Sequence, residues 1–162
     1  MKRAFTLVEI LISSAILFFL VTGIYRVLNI ADKVFNDDMG LLYLGQQARQ
    51  AMDGMSREVR QGWPSGITID NAGERITFST PDTSSIRYYR DAVNNQLVRQ
   101  QPAGTGSARV LANNVNSLNF SLSGNTLVIT FRLQKVVRGR TLCFPAICNP
   151  QQFLTEQVTL RN

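Results

Sequence analysis

Three patterns of hydrophobic and polar positions follow one another along this chain. From Phe5 to Ile30 most residues are apolar, on all sides of any helix drawn through them. Beyond Ile30, and clearly after the polar cluster Asn36, Asp37, Asp38, the apolar residues fall on one side only. Leu41, Leu44, Ala48, Met52, Met55 and Val59 recur at steps of three and four, while Gln46, Gln47, Arg49, Gln50, Asp53, Arg57 and Arg60 take the other positions. That spacing predicts an amphipathic helix. After Pro64 the period changes to short alternating runs, the spacing of half-buried strands.

No proline interrupts Phe5 to Gln61, so both helical patterns read as one bent helix, ended by Gly62-Trp63-Pro64. The alternative is a second helix starting near Met39 and capped by Asp37-Asp38. About 55 residues of continuous helix would run roughly 80 Å. Gly40, Gly45 and Gly54 weaken it and mark bends or places of close packing.

In the last part, Ile67–Ile69 and Arg75–Ser79 flank the turn Asp70–Gly73, and Ser85–Arg90 and Gln96–Gln100 flank Asp91–Asn95. Val115–Leu122 and Thr126–Val137 surround Ser123-Gly124-Asn125, the clearest hairpin. Pro102–Ala108 reads as a flexible connection and Phe153–Leu160 as a last strand. On the Thr126–Val137 strand, Leu127, Ile129, Phe131 and Leu133 share one face. Tyr88, Tyr89, Phe120 and Phe131 read as sheet core. The predicted fold class is α+β: a long N-terminal helical spine whose outer half covers one face of a C-terminal antiparallel sheet.

The first apolar run is long enough to cross a bilayer, which takes roughly twenty residues. Lys2 and Arg3 precede it, a charge placement that keeps the N-terminus cytoplasmic and sends the rest outward. An ordinary cleaved signal has a shorter core; the small residues Ser13-Ser14-Ala15 lie inside this one. One residue breaks the pattern. Glu9 puts a carboxylate near the start of the run, where transfer into hydrocarbon costs about 2.5–3.5 kcal/mol. An acid in that position calls for a cationic partner, and a second protein copy or a sister subunit is the source the pattern suggests. The plainer reading is a carboxylate that snorkels to the membrane edge.

The 162 residues carry 17 Lys and Arg against 11 Asp and Glu, for a net charge of +6, and no histidine. The basic residues are scattered, in pairs such as Arg57/Arg60, Arg87/Arg90 and Arg138/Arg140, as a solvated surface would be. DNA and anionic lipid remain possible partners on charge alone, but no Arg/Lys stripe interleaves with aromatics. Without histidine no Ser-His-Asp or Cys-His pair can form. Gly104-Thr105-Gly106 lacks the Lys-Ser/Thr of a phosphate-binding loop, and Asp37-Asp38 lacks alternating calcium ligands. The acids of the second half (Asp70, Glu74, Asp82, Asp91, Glu156) are dispersed. No enzyme, cofactor or metal is expected. Cys143 and Cys148, in CFPAIC, read as one disulfide in an exported chain, with free thiols and metal binding as alternatives.

The stretch Ala4-Phe5-Thr6-Leu7-Val8-Glu9, behind a basic leader and before an apolar core, resembles the processing motif of type IV prepilins and type II secretion pseudopilins. Two differences from the major pilins stand out. Ala4 occupies the place usually held by Gly, and Arg26 stands near where major pilins carry a proline, as often in minor pilins. The resemblance implies a pilin-like fold and cleavage by a prepilin peptidase between Ala4 and Phe5, with N-methylation of Phe5. It also implies an assembly role for Glu9, attracting the methylated amine of a neighbouring subunit. The implied division is a leader at 1–4, a transmembrane and filament-core helix at 5–30, and a periplasmic head at 31–162 with helix to about 61. Partners would be the peptidase, other major and minor pilins or pseudopilins, and inner-membrane lipid. The location would be the bacterial inner membrane, single-pass, and then a pilus or pseudopilus. RYYR, NNQLVRQ, ARVLANNVNSLNFSL and VTLRN resemble minor pilins of the W type or J-type minor pseudopilins, which implies a subunit that initiates or caps assembly. A tip subunit that binds DNA or a surface, and a signal-anchored domain that never polymerises, are the competing functions.

Overall fold

The computed structural model describes residues 6–81, 85–145, 148 and 152–160. The chain forms two compact units, Met1–Met39 and Gly40–Asn162. One helix, α1, runs from Leu7 to Val59 without interruption, so Asp37-Asp38 start no second helix.

In the first unit the apolar side chains from Leu7 to Ile30 are exposed, most of them by more than half. This helix is long and apolar enough to cross a membrane by length and composition. Three of its hydroxyls are turned back onto the helix. Ser13 Oγ donates to the Glu9 carbonyl (2.8 Å), Ser14 Oγ to Leu11 (2.9 Å) and Thr22 Oγ1 to Phe18 (2.8 Å). Such back-bonding satisfies hydroxyls where no water is at hand.

The second unit is built on the amphipathic stripe. Leu44, Ala48, Met52, Met55 and Val59 are buried, joined by Ala51, and Leu41 packs partly buried beside them. Among the described residues they share a core with nine strands: β1 (Thr68–Asp70), β2 (Arg75–Ser79), β3 (Ser85–Asp91), β4 (Gln96–Gln101), β5 (Ser107–Asn113), β6 (Val115–Ser123), β7 (Thr126–Val137), β8 (Arg140–Phe144) and β9 (Leu154–Thr159). Two glycines bring the helix close to β8. A Cβ on Gly40 would stand 2.6 Å from Leu142 Cδ1, and one on Gly45 would stand 3.1 Å from Phe144 Cε2. Gly54 has no such neighbour.

The three expected hairpins form, as β1–β2, β3–β4 and β6–β7. The single expected sheet is instead two antiparallel sheets: β1-β2-β3-β4-β5, and β6-β7-β8 with β9 also on β7. The reason lies at Asn114, the one residue between β5 and β6, whose φ of 61° is left-handed. Asn tolerates that conformation better than most residues. The chain turns there, and β6 leaves its predecessor to pair with β7. The connection read as flexible ends early, because Ser107 and Ala108 already belong to β5.

β7 organises the second sheet. One of its edges pairs with β6; the other is divided between β9, opposite Thr126–Phe131, and β8, opposite Leu133–Val137. Leu127, Ile129, Phe131 and Leu133 all point into one core shared by α1 and both sheets. Tyr88, Phe120 and Phe131 are in that core, and Phe78 stacks on Tyr88 at 6.1 Å between ring centroids. Tyr89, on the opposite face of β3, is only half-buried, a departure from its reading as core.

Candidate processing and assembly site

The start of α1 is assembled by its own sequence. Thr6 precedes the first helical residue, and the Glu9 N–H donates both to Thr6 Oγ1 (3.3 Å) and to the Thr6 carbonyl (3.1 Å). Thr6 is thus the N-cap, satisfying a donor that the first turn otherwise leaves open. Sequence reasoning overlooked this residue, although its signal was present: Thr-x-x-Glu is the capping-box spacing. Glu9 lies in the first turn, where the positive end of the helix dipole favours an anion.

Glu9 is exposed, and with Ile10, Ser13, Ser14 and Leu17 it lines a shallow, mostly apolar concavity on the helix surface. Both serines there have turned their hydroxyls onto the backbone, so the carboxylate is the charged group of this surface. Among the described residues Glu9 has no ion-pair partner, whereas the second unit holds Arg60–Glu156, Arg90–Glu74 and Arg99–Glu58. Ala4 and Phe5, the expected cleavage and methylation residues, lie outside the described residues.

Cys143 and Cys148 are joined as a disulfide, at the end of β8 and just beyond it. Arg132 Nη2 is 3.8 Å from Cys143 Sγ. Among the described residues no group of three or more His, Cys, Asp and Glu is placed to hold a metal ion.

A second charged group was invisible in the sequence. Glu58, in the last turn of α1, accepts from Tyr88 Oη at 2.6 Å and from Arg99 Nε at 2.8 Å. Arg99 also donates to Gln101 Oε1 at 2.5 Å. Burial, then the hydrogen bond and negative charge of Glu58, push the Tyr88 phenol well above its ordinary value. Burial works against the charge of Arg99, but the bond to Glu58 and its attraction outweigh it, and the guanidinium is held above its usual range. These three residues tie α1 to β3 and β4. No local signal announces contacts 30 and 41 residues apart. On the second sheet's side, Arg90 bonds Glu74 at 2.9 Å and the Val115 carbonyl at 3.1 Å, linking β3 to the start of β6.

Comparison with known families matches residues 1–25 to the prokaryotic N-terminal methylation motif. Curated proteins and solved structures yield no match. The motif supports membership of the type IV pilin and pseudopilin family, whose subunits are processed by prepilin peptidase and are structural rather than enzymatic.

Proposed function

We propose that this chain is a minor pilin or pseudopilin, a subunit that helps to initiate or cap a type IV pilus or a type II secretion pseudopilus. The observation that carries the reading is a carboxylate, Glu9, without an ionic partner among the described residues, on an exposed apolar helix that matches the methylation motif. A helix in lipid holds such a group when an opposite charge is supplied from outside it. Cleavage between Ala4 and Phe5 creates that charge as the new, methylated amine of Phe5, and Glu9 of one subunit meets the amine of the next. The residues 5–30 then serve first as membrane anchor and later as filament core, and the head at 31–162 stays outside the membrane. The Cys143–Cys148 disulfide fits an oxidising compartment for that head.

The test is mass spectrometry of the N-terminal peptide after coexpression with a prepilin peptidase. A peptide beginning with N-methylated Phe5 is expected. A mature chain that keeps Lys2 and Arg3 would instead identify a signal-anchored domain that does not polymerise.

A further inference from the structure

The surroundings of the Cys143–Cys148 bridge suit its reduced form better than its oxidised one, and we propose that the bridge is a thiol–disulfide exchange site for a dithiol. The two sulfurs lie in unlike places. Cys143, on β8, is 2% exposed, and Arg132 Nη2 points an N–H at its Sγ across 3.8 Å. Cys148 is exposed, and its Sγ lies 3.3 Å from the Thr141 carbonyl oxygen. A disulfide sulfur carries no charge for a guanidinium to meet and no hydrogen for a carbonyl to accept. A thiolate at Cys143 and a thiol at Cys148 supply both.

Arg132 is the stronger sign. It is 8% exposed, yet among the described residues it has no ion-pair partner, and its Nε is buried without a hydrogen bond. Opposite it on β6 stands Ser117, and opposite Cys143 on β7 stands Gln134; both are neutral. A buried cation left without an anion is costly. Reduction places an anion in contact with it. Burial by itself disfavours a thiolate, but a guanidinium against the sulfur, with no other anion competing for it, reverses that preference. Cys143 is therefore the better leaving group. A thiolate of the dithiol attacks the exposed Cys148 Sγ and bonds to it. The Cys143–Cys148 bond breaks, and its electron pair stays on Cys143 Sγ beside Arg132. The second thiol of the dithiol loses its proton to water and attacks its own first sulfur, expelling Cys148, which takes a proton and faces Thr141. The cysteine pair gains two electrons, and the dithiol, closed into a disulfide, loses two. β8 pairs with β7 through its own backbone from Arg140 to Phe144, so the strand keeps its place when the bridge opens.

Exchange at this bridge is independent of filament assembly, so each can fail without the other. The experiment equilibrates the full chain, in detergent micelles near neutral pH, with mixtures of reduced and oxidised dithiothreitol, and reads the free thiols by alkylation and mass. Reduction of the folded chain, with its circular dichroism retained, is expected. Arg132→Met, which removes the charge and keeps a long side chain, should need a reduced-to-oxidised ratio at least about tenfold higher for half-reduction, equivalent to about 30 mV for a two-electron couple. Arg132→Lys should restore most of that shift. Should the Met variant misfold, the parent decides by itself: brief treatment with reduced glutathione, quenched by alkylation, should leave glutathione on Cys148 and the alkyl group on Cys143. Reduction only in denaturant, an unshifted equilibrium in a folded Met variant, a Lys variant no better than the Met variant, or glutathione on Cys143 would each overturn the assignment.

Discussion

Leu17 and Met55 belong to the same helix and are about equally apolar, yet Leu17 is 61% exposed and Met55 is not exposed at all. The difference teaches that hydrophobicity serves two separate ends along α1. Around Met55 the apolar side chains complete a core with both sheets, so they hold the second unit together. Around Leu17 they complete nothing within the chain, so their free energy is realised only in lipid or against other subunits. In the one region polar residues are placed around an apolar stripe; in the other a single acid, Glu9, is set into an apolar surface. The first arrangement makes a fold and the second makes a contact.

The largest effect expected from this contrast comes from truncating the two side chains. Met55→Ala leaves a cavity in a closed core and should lower the stability of the second unit by about 2–5 kcal/mol. Leu17→Ala in the same detergent-solubilised chain should leave its thermal midpoint within error. Equal losses from both changes would break the division of labour. Next in size is Glu9→Ala. Cleavage should proceed at the parental rate, because the cut site is intact, while incorporation into filaments should fall at least about tenfold, equivalent to about 1.4 kcal/mol. Normal incorporation would remove the pairing role.

The Glu58 cluster sharpens the same comparison from the other end of α1, since here an acid is paired within the chain. Tyr88→Phe removes the 2.6 Å donor and leaves Glu58 on Arg99, so a loss of about 1–1.5 kcal/mol is expected. The pH dependence has a definite sign. The folded protein raises the Tyr88 pKa above its ordinary 10.0, so its contribution is complete below pH 10 and is lost as pH rises beyond it. Urea titrations from pH 8 to 11 should show an alkaline decline in the parent that is shallower in the Phe variant.

How much of this was legible in the sequence depended on range. Helix spacing named Leu44, Ala48, Met52, Met55 and Val59 before any coordinates, because one period decides which side is buried. The three hairpins were legible because their turns are local. The division into two sheets was not, since β5 carried no reading of its own between the connection at Pro102–Ala108 and the strand from Val115, and the turn between the sheets rests on one left-handed residue, Asn114. β8 was hidden for a related reason: its partner β7 is twelve residues long and shares one edge between two strands, which no short window reveals. At the N-terminus, Glu9 stood out as a charge where none belonged, whereas Thr6 was passed over as an ordinary polar residue although its spacing to Glu9 marks a cap.

The smallest expected effect separates the glycines of the helix. Gly40 and Gly54 carry the same intrinsic penalty relative to Ala, about 1 kcal/mol. They differ in what a methyl group would meet. At Gly40 it would press on Leu142 Cδ1 at 2.6 Å, so that side chain must move against Val137 and the core around it, and overpacking of that kind is expected to outweigh the gain in helix propensity. At Gly54 nothing lies within 4 Å, so Gly54→Ala should raise the stability of the second unit by somewhat less than about 1 kcal/mol. The pair of variants thus predicts opposite signs from one chemical change, read from paired thermal melts. A second readout gives the result its meaning. If Gly54→Ala stabilises the isolated chain and also leaves filament incorporation intact, the glycine has no work in either setting. If it stabilises the chain but lowers incorporation, Gly54 belongs with Glu9, among the residues kept for contacts with other subunits rather than for the fold.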